Sequence, residues 1–176
     1  MDQQPSAVSV FQQAYALHQQ GKLTEAEPYL RDVVERGGRK LGREHRTVLI
    51  ATINLGGILA EEKRFQSVVA LLGPVEQVVR KTLAGDDVWI ASLLTNLGKA
   101  HSGLHQFILA EAELLEARSL YATTRGPTHK DTLDCVQAAI DLYRAWNAAE
   151  PGKGYDKKAE QLRTKSAGTK SSKKSA

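Results

Sequence analysis

Residues 21–30 read GKLTEAEPYL, and this short run carries the clearest structural signal in the chain. Gly21 and the two residues after it form a predicted turn, and Thr24 is the predicted N-cap of the helix that follows. Glu27 stands three residues beyond Thr24, which is the spacing of a capping box. Ala26 is a small residue at a point where two paired helices approach each other closely. The run therefore predicts a tight turn between two amphipathic helices.

Parts of this pattern return along the chain at a spacing of 42 residues. Asn54-Leu55-Gly56 recurs as Asn96-Leu97-Gly98, and Phe65 recurs as Phe107. A period shared by several residue types indicates an internal structural repeat. The same spacing, or twice that spacing, relates His45 to His129; Ala14 to Gly56 and Gly98; Ala26 to Val68 and Ala110; and Leu30 to Leu72 and Leu114.

Each repeat reads as two amphipathic helices, with Leu, Val and Phe at the spacings that fill the groove between packed helices. Pro74 interrupts one of these helices, and Gly37-Gly38 weakens the end of another. We predict a kink or break at Pro74. The predicted helices are Ser6–Gln20, Thr24–Leu41, Thr47–Glu62, Gln66–Ala84, Asp87–Ser102, Gln106–Thr124, a helix capped by Asp131 or Thr132 and ending near Ala148, and Tyr155–Arg163.

The quoted run looks like the turn and second-helix start of a tetratricopeptide repeat. The 42-residue period and the run GPTHKDTL at residues 126–133 resemble the longer variant of kinesin light chains and many bacterial proteins. Residues 142–146 and 158–160 resemble the closing unit of bacterial arrays, including some appended to serine/threonine kinases. The resemblance covers roughly residues 7–163 and implies a right-handed α-solenoid of about four antiparallel helix pairs. Lys130 stands where the family has a proline, so the units are degenerate.

Composition and charge indicate a cytoplasmic protein with a nearly neutral body. No apolar run approaches the about 20 residues that span a membrane, the start lacks a signal peptide, and a single cysteine, Cys135, fits a reducing compartment. The formal net charge is +4, but the five cations of residues 163–176 leave residues 1–162 at −1. The domain prediction is a repeat array over residues 6–163 and a disordered Lys/Ser-rich tail over residues 164–176, which has too few apolar residues to fold.

The resemblance implies a concave peptide-binding groove lined by the first helix of each pair. In related repeats the asparagine before the Leu-Gly step bonds the backbone of a bound peptide, because its amide both donates and accepts. The alternative for these positions is a solvated polar face. The predicted groove residues are Gln12, Tyr15, Asn54, Asn96, Lys99 and Arg144.

Other polar residues receive a structural interpretation. His101 and His105 have a spacing compatible with a metal site, but a packed histidine and a turn histidine are favoured. His45 and His129 recur at repeat starts and are interpreted as turn elements. The chain has no nucleotide-binding or nucleophile motif. Five recurring acids read as a solvated outer face: Glu25, Glu27, Glu111, Glu113 and Glu116. No catalytic residue, metal or cofactor is predicted.

The predicted function is a protein–protein interaction scaffold that is not an enzyme. Two alternatives stay open: a nucleic-acid-associated protein that uses the basic tail, and a regulatory module of a signalling protein. The sequence does not identify the partner or the oligomeric state.

Overall fold

A computed structural model describes residues 5–171. Every regular element within that range is helical, which confirms the predicted all-α helical-repeat solenoid class. Among these residues, no helix has the length and apolar character needed to span a bilayer. The helices are α1 (Ala7–Gln19), α2 (Leu23–Asp32), α3 (Gly38–Leu41), α4 (Arg46–Glu61), α5 (Phe65–Leu72), α6 (Glu76–Thr82), α7 (Asp87–Gly103), α8 (Phe107–Arg125), α9 (Lys130–Ala149) and α10 (Tyr155–Ser171).

The chain divides into two compact units, Met1–Gly85 and Asp86–Ala176. In the first unit α1 packs on α2, α2 on α4, and α4 on α5. Small residues allow these helices to approach closely: an added Cβ at Gly56 would lie 2.6 Å from Leu72 Cδ1. In the second unit α7 packs on α8, α8 on α9, and α9 on α10. Gly98 repeats the arrangement there, with its added Cβ 2.6 Å from Leu114 Cγ.

The turns inside the first three helix pairs have one backbone geometry. Gly21, Lys63 and His105 stand 42 residues apart, and all have positive φ, at 73°, 58° and 60°. In each turn the next amide donates back to the preceding helix, as in the 2.8 Å bond from Gln106 N to His101 O. The sequence marked the first turn through its glycine. The other two place L-residues in the left-handed region, where the pair of packed helices must offset the local strain.

The two predicted helix interruptions are present. Gly73–Val75 forms a short 3-10 turn between α5 and α6, because Pro74 has no N–H to continue the α-helical pattern. Val33–Gly37 forms a π-helical turn between α2 and α3. Gly37 and Gly38 are both buried at this turn. An added Cβ at Gly37 would lie 3.2 Å from Ala7 Cβ, so a larger residue would be crowded there.

Two predicted helix caps are wrong. The residue that precedes α2 is Lys22, which makes no side-chain cap bond, and Glu27 pairs instead with Arg31, whose Nε lies 2.8 Å from its Oε1. Before α9 the cap is His129, whose Nδ1 accepts from Asp131 N at 3.2 Å, while Thr132 Oγ1 donates to Gly126 O. His45 caps α4 in the same way as His129, so the interpretation of these histidines as turn elements is confirmed.

The C-terminus differs from the prediction. Helix α10 continues to Ser171, so residues 164–171 of the predicted disordered tail are helical. Tyr155, Lys158 and Ala159 anchor the first turns of this helix against neighbouring side chains, and once a helix is nucleated each further residue extends it at little cost. The remaining tail, residues 172–176, lies outside the described residues.

Candidate functional site

Asn54 lies in the middle of α4. Its side chain is only 8% exposed, and the flanking Ile53 and Leu55 are buried. The Nδ2 donor of Asn54 has no hydrogen-bond acceptor among the described residues. A buried donor left without an acceptor costs about 1–3 kcal/mol, so Asn54 carries a polar atom that the described residues do not satisfy.

Asn96 occupies the equivalent place on α7. It is also 8% exposed, but it takes part in an interaction within the chain, so the two asparagines are not in the same state. Lys99 lies one turn further along α7, is half-buried, and forms no ion pair with any described residue. Along α7, the first helix of a pair in the second unit, the Asn96 amide is therefore followed one turn later by Lys99, a cation without an ion-pair partner among the described residues.

Gln12 and Tyr15 lie on the solvent side of α1. Val10 and Ala14 of the same helix are buried, whereas Tyr15 is 40% exposed and has its ring 6.0 Å from that of Phe11. His18, one turn beyond, has a buried Nδ1 with no hydrogen-bond partner in the described chain. This helix therefore offers an exposed aromatic side chain beside a second unsatisfied polar atom.

Arg144 lines a cleft of about 240 Å³ between α9 and α10. Its Nη1 is 3.5 Å from Asp141 Oδ1, and the side chain is 61% exposed. The opposite wall carries Arg163, which holds Glu160 at 2.8 Å. Because both arginines already face carboxylates, this cleft has little excess positive charge for an acidic ligand.

The acidic residues predicted to form a solvated outer face are largely paired, so that interpretation is wrong for three of them. Glu27 lies between Arg31 and Arg64, and the Arg31 bond, the largest influence, lowers the pKa of its carboxyl. Glu111 accepts from Tyr143 Oη and from Lys158 Nζ, both at 2.7 Å. Glu113 forms the third pair, described next. Arg31 is four residues from Glu27, a spacing that itself favours pairing on a helix. The other partners, Arg64, His101, Tyr143 and Lys158, are 12 or more residues from their glutamates, so sequence spacing does not indicate those contacts.

His101 and His105 have the separate structural roles that the sequence favoured. The Nδ1 of buried His101 lies 2.7 Å from Oε2 of Glu113, which joins α7 to α8. His105 lies in the turn at positive φ, with its ring 5.3 Å from that of Phe107 in an edge-to-face arrangement. Each ring therefore contacts a different side chain, Glu113 for His101 and Phe107 for His105.

The structure places every predicted groove residue on the first helix of a pair: Gln12 and Tyr15 on α1, Asn54 on α4, Asn96 and Lys99 on α7, and Arg144 on α9. Sequence reasoning missed an exposed apolar row on α8, formed by Ile108, Leu109 and Leu115. The available signal was a comparison of repeats, because positions 66 and 67, which are 42 residues before positions 108 and 109, hold Gln and Ser.

Comparison with known proteins supports the repeat assignment. The tetratricopeptide-repeat family matches residues 14–47, whereas no curated protein matches the chain. The crystal structure of BtubC (BKLC) from P. vanneervenii aligns with 92% of this chain at a TM-score of 0.62 and 16% identity. This chain spans 65% of the length of that structure. The likeness at this identity is one of fold.

Two structures of a Podosopora anserina protein assigned as a kinesin light chain, with nearly identical TPR-like repeats, are also similar. Each aligns with 96% of this chain and 96% of its own, at 18% identity and TM-scores of 0.40 and 0.38. The family match and the shared fold confirm the tetratricopeptide resemblance.

Proposed function

We propose that this tetratricopeptide-repeat chain is a protein-interaction scaffold that binds a partner peptide or protein through the first helix of each helix pair. Tetratricopeptide repeats serve generally as scaffolds for protein–protein interaction and typically carry no catalytic site. The residues proposed to contact the partner are Gln12, Tyr15, Asn54, Asn96, Lys99 and Arg144.

The observation that carries the proposal is the buried, unsatisfied amide donor of Asn54. A polar group that is buried without a partner destabilises the fold, and such groups are uncommon in native proteins. An alanine or leucine at this place would remove the penalty, so the presence of an asparagine supports a role for its amide, which a small rotation of the side chain would bring to a ligand acceptor. An extended peptide backbone offers carbonyl acceptors and amide donors in alternation, and a side-chain amide complements both.

Three other residues determine which ligand groups the proposed surface favours: Tyr15, Lys99 and Arg144. Tyr15 is an exposed aromatic side chain, a type enriched at interface hot spots. Lys99 is a cation with no carboxylate partner among the described residues, so it favours an acidic group on the ligand near Asn96. Arg144 contributes less net charge because Asp141 faces it.

The test compares Asn54→Ala, Asn96→Ala and the double variant with the wild type. A partner is first captured from a nuclease-treated host extract, and its dissociation constant is then measured by calorimetry with purified components. We expect the double variant to bind at least about tenfold more weakly, equivalent to about 1.4 kcal/mol. Gln66→Ala, which removes an exposed amide from a second helix, is the matched control and should bind like the wild type.

Thermal unfolding of the same variants separates binding from folding. Asn54→Ala should melt at or above the wild-type temperature, because the change removes an unsatisfied buried donor. Loss of binding together with retained stability supports a contact role for Asn54. Wild-type affinity in the double variant would exclude these asparagines from the binding surface.

A further inference from the structure

A small cleft lies where α8, α9 and α10 meet in the second unit. Its volume is about 70 Å³. A single water needs only about 10–15 Å³ of such space, so the cleft can admit a small polyatomic ligand. The lining residues are Arg118 and Ala122 of α8, Pro127 of the loop that follows, Thr132, Leu133 and Val136 of α9, and Leu162, Lys165 and Ser166 of α10.

Both charged side chains that line the cleft are positive. Arg118 approaches it from α8 and Lys165 from α10, and none of the lining residues is an aspartate or a glutamate. Most of the remaining wall is apolar, and Thr132 and Ser166 contribute hydroxyl groups. Because apolar walls lower the local dielectric constant, these positive charges act more strongly on a ligand here than on an open surface.

Arg118 is the half-buried cation of the pair, and it has no ion pair with a carboxylate among the described residues. A guanidinium that is partly removed from water without a counter-charge costs free energy. An anion in the cleft would offset that cost. The residues three and four positions away on α8 supply no acid, since they are Leu114, Leu115, Tyr121 and Ala122.

The preceding helix pair shows that this position of the repeat does not require a cation. The residue 42 positions before Arg118 is Glu76, whose Oε1 accepts from Arg80 Nε at 3.0 Å. In the third pair the charge at the first position is reversed, and the residue equivalent to Arg80 is Ala122. The exchange replaces an internal ion pair with a positive charge that faces a cleft.

The charge of Arg118 acts inward, on groups of α9. Burial raises the pKa of the Cys135 thiol, and the charges of Lys99 and Arg118 oppose this rise. Burial also raises the pKa of the Tyr143 hydroxyl, and Arg118 again acts in the opposite direction. A guanidinium extended into bulk water would have little effect on either group, because water screens the interaction. Arg118 therefore lies close to α9, beside the cleft.

The hydrogen-bond donors that face the cleft are not equally available. The Ser166 hydroxyl is half-buried and has no hydrogen bond with a described residue. Thr132 Oγ1 already donates to Gly126 O at 2.8 Å, which holds the loop wall in place. Lys165 is exposed and has another interaction within the chain, so its contribution is positive potential. A ligand would thus bind chiefly to Arg118 and Ser166.

This combination of donors and volume matches a tetrahedral oxyanion. A phosphate group carries a charge of about −1.5 to −2 and three strong acceptor oxygens. The guanidinium fork binds two of them in parallel, and a serine hydroxyl can donate to the third. The cleft is also far smaller than the about 300 Å³ of the smallest usual ligand pockets, so a nucleotide or a peptide segment does not fit inside it.

We propose that this cleft, the Arg118 cleft, binds a phosphate-type oxyanion. The Arg118 guanidinium and the Ser166 hydroxyl donate to its oxygens, and Lys165 adds positive potential. Because the donors belong to α8 and α10, the bound ion also connects these two helices. The site lies apart from the first-helix surface proposed above and does not depend on it.

The test titrates the full chain with inorganic phosphate at about pH 7.5, where the dianion predominates. Sodium chloride keeps the ionic strength constant, so that general screening does not change. Amide ¹H–¹⁵N shifts report binding at each residue. We expect saturable shifts confined to the cleft residues of α8, α9 and α10, with a dissociation constant on the order of 1 mM. Amides 162–166 should also exchange more slowly when phosphate is bound.

The decisive variant is Arg118→Gln, which keeps a long polar side chain and removes the charge. It should weaken phosphate binding by at least about tenfold, whereas Ser166→Ala should weaken it by about threefold. Arg144→Gln is the matched control, because it removes an exposed arginine of the same unit outside the cleft. In chloride alone Arg118→Gln should melt at or above the wild-type temperature, which separates lost binding from lost folding.

A phosphomonoester, N-acetyl-O-phosphoserine amide, distinguishes the two sources of the anion. Binding of this compound at the same residues, lost in Arg118→Gln, would identify the phosphate group of a larger molecule as a ligand. Binding of inorganic phosphate alone would identify the free ion. Shifts that increase without saturation or spread over the whole surface would overturn the proposal, as would wild-type affinity in the Arg118→Gln variant.

Discussion

At the scale of single residues, the close approach of paired helices depends on glycine. Gly98 on α7 faces Leu114 on α8, and an added Cβ would lie 2.6 Å from Leu114 Cγ and 2.9 Å from its Cδ2. Leu114 is fully buried, so it has little room to move away. The same glycine–leucine contact between Gly56 and Leu72 in the first unit explains why the Asn-Leu-Gly motif recurs.

We predict that Gly98→Ala destabilises the protein by about 1–3 kcal/mol, the usual cost of overpacking a core. The free energy of unfolding in urea is the measurement. Gly73→Ala is the matched control, because nothing lies within 4 Å of its added Cβ, and it should be nearly neutral. A Gly98→Ala protein as stable as the wild type would mean that α8 can shift away from α7 without loss.

At the scale of elements, a polar cluster attaches α10 to the rest of the second unit. Glu111 on α8 accepts from Tyr143 on α9 and from Lys158 on α10. The Lys158 ammonium also lies 5.1 Å from the centre of the Tyr143 ring. Burial raises the pKa of the Glu111 carboxyl, but the bonds from Lys158 and Tyr143 and the charge of Lys158 outweigh it, so its pKa is lower than usual.

We predict that Glu111→Gln lowers the free energy of unfolding by about 1–2 kcal/mol at pH 7. Because the pKa is depressed in the folded state, the contribution of Glu111 is fully present above its unfolded value of 4.5 and is lost as the pH falls further. The difference between wild type and variant should therefore shrink between pH 5 and about pH 3.

Hydrogen exchange at pH 7 shows where Glu111→Gln destabilises the protein. In the variant, the amides of α10 should lose protection before those of the other helices. Glu160→Gln is the control, because that carboxylate is exposed and, among the described residues, bonds only Arg163 on its own helix. A Glu111→Gln penalty that persists unchanged at pH 3 would contradict an electrostatic origin.

At the scale of the whole molecule, positive charge is concentrated at the C-terminus, and the nucleic-acid alternative rests on it. Ending the chain at Leu162 would remove nine residues of α10, so truncation would mix a structural change with the loss of charge. Replacing Arg163, Lys165, Lys170, Lys173 and Lys174 with Gln removes the charge without shortening the chain.

If all five cations meet phosphates, log K for duplex DNA falls against log salt with a slope of about −4.5. The neutralised variant should then lose DNA binding altogether, as measured by fluorescence anisotropy from 50 to 300 mM salt. Binding retained by the variant, or no binding by the wild type at any salt, would remove the tail from consideration as a nucleic-acid site.

The sequence by itself determined the helix pairs, their 42-residue period and the interruption at Pro74. These features depend on local physics: helical periodicity, glycine in the turn and the missing N–H of proline act within a few residues of each other. The predicted cap at Thr24 is wrong. The sequence allows Glu27 either to complete a capping box with Thr24 or to pair with Arg31, and residue spacing does not show which of these interactions is stronger.

Only the tertiary structure decided which polar residues have partners and which apolar residues lack them. Lys158 lies 47 residues from Glu111, and Arg64 lies 37 residues from Glu27, so no local pattern indicates these pairs. The unsatisfied Asn54 amide and the exposed Ile108 side chain are likewise products of packing. Burial and hydrogen bonding depend on what neighbouring helices bring to a position, and that follows from the assembled fold rather than from the residue itself.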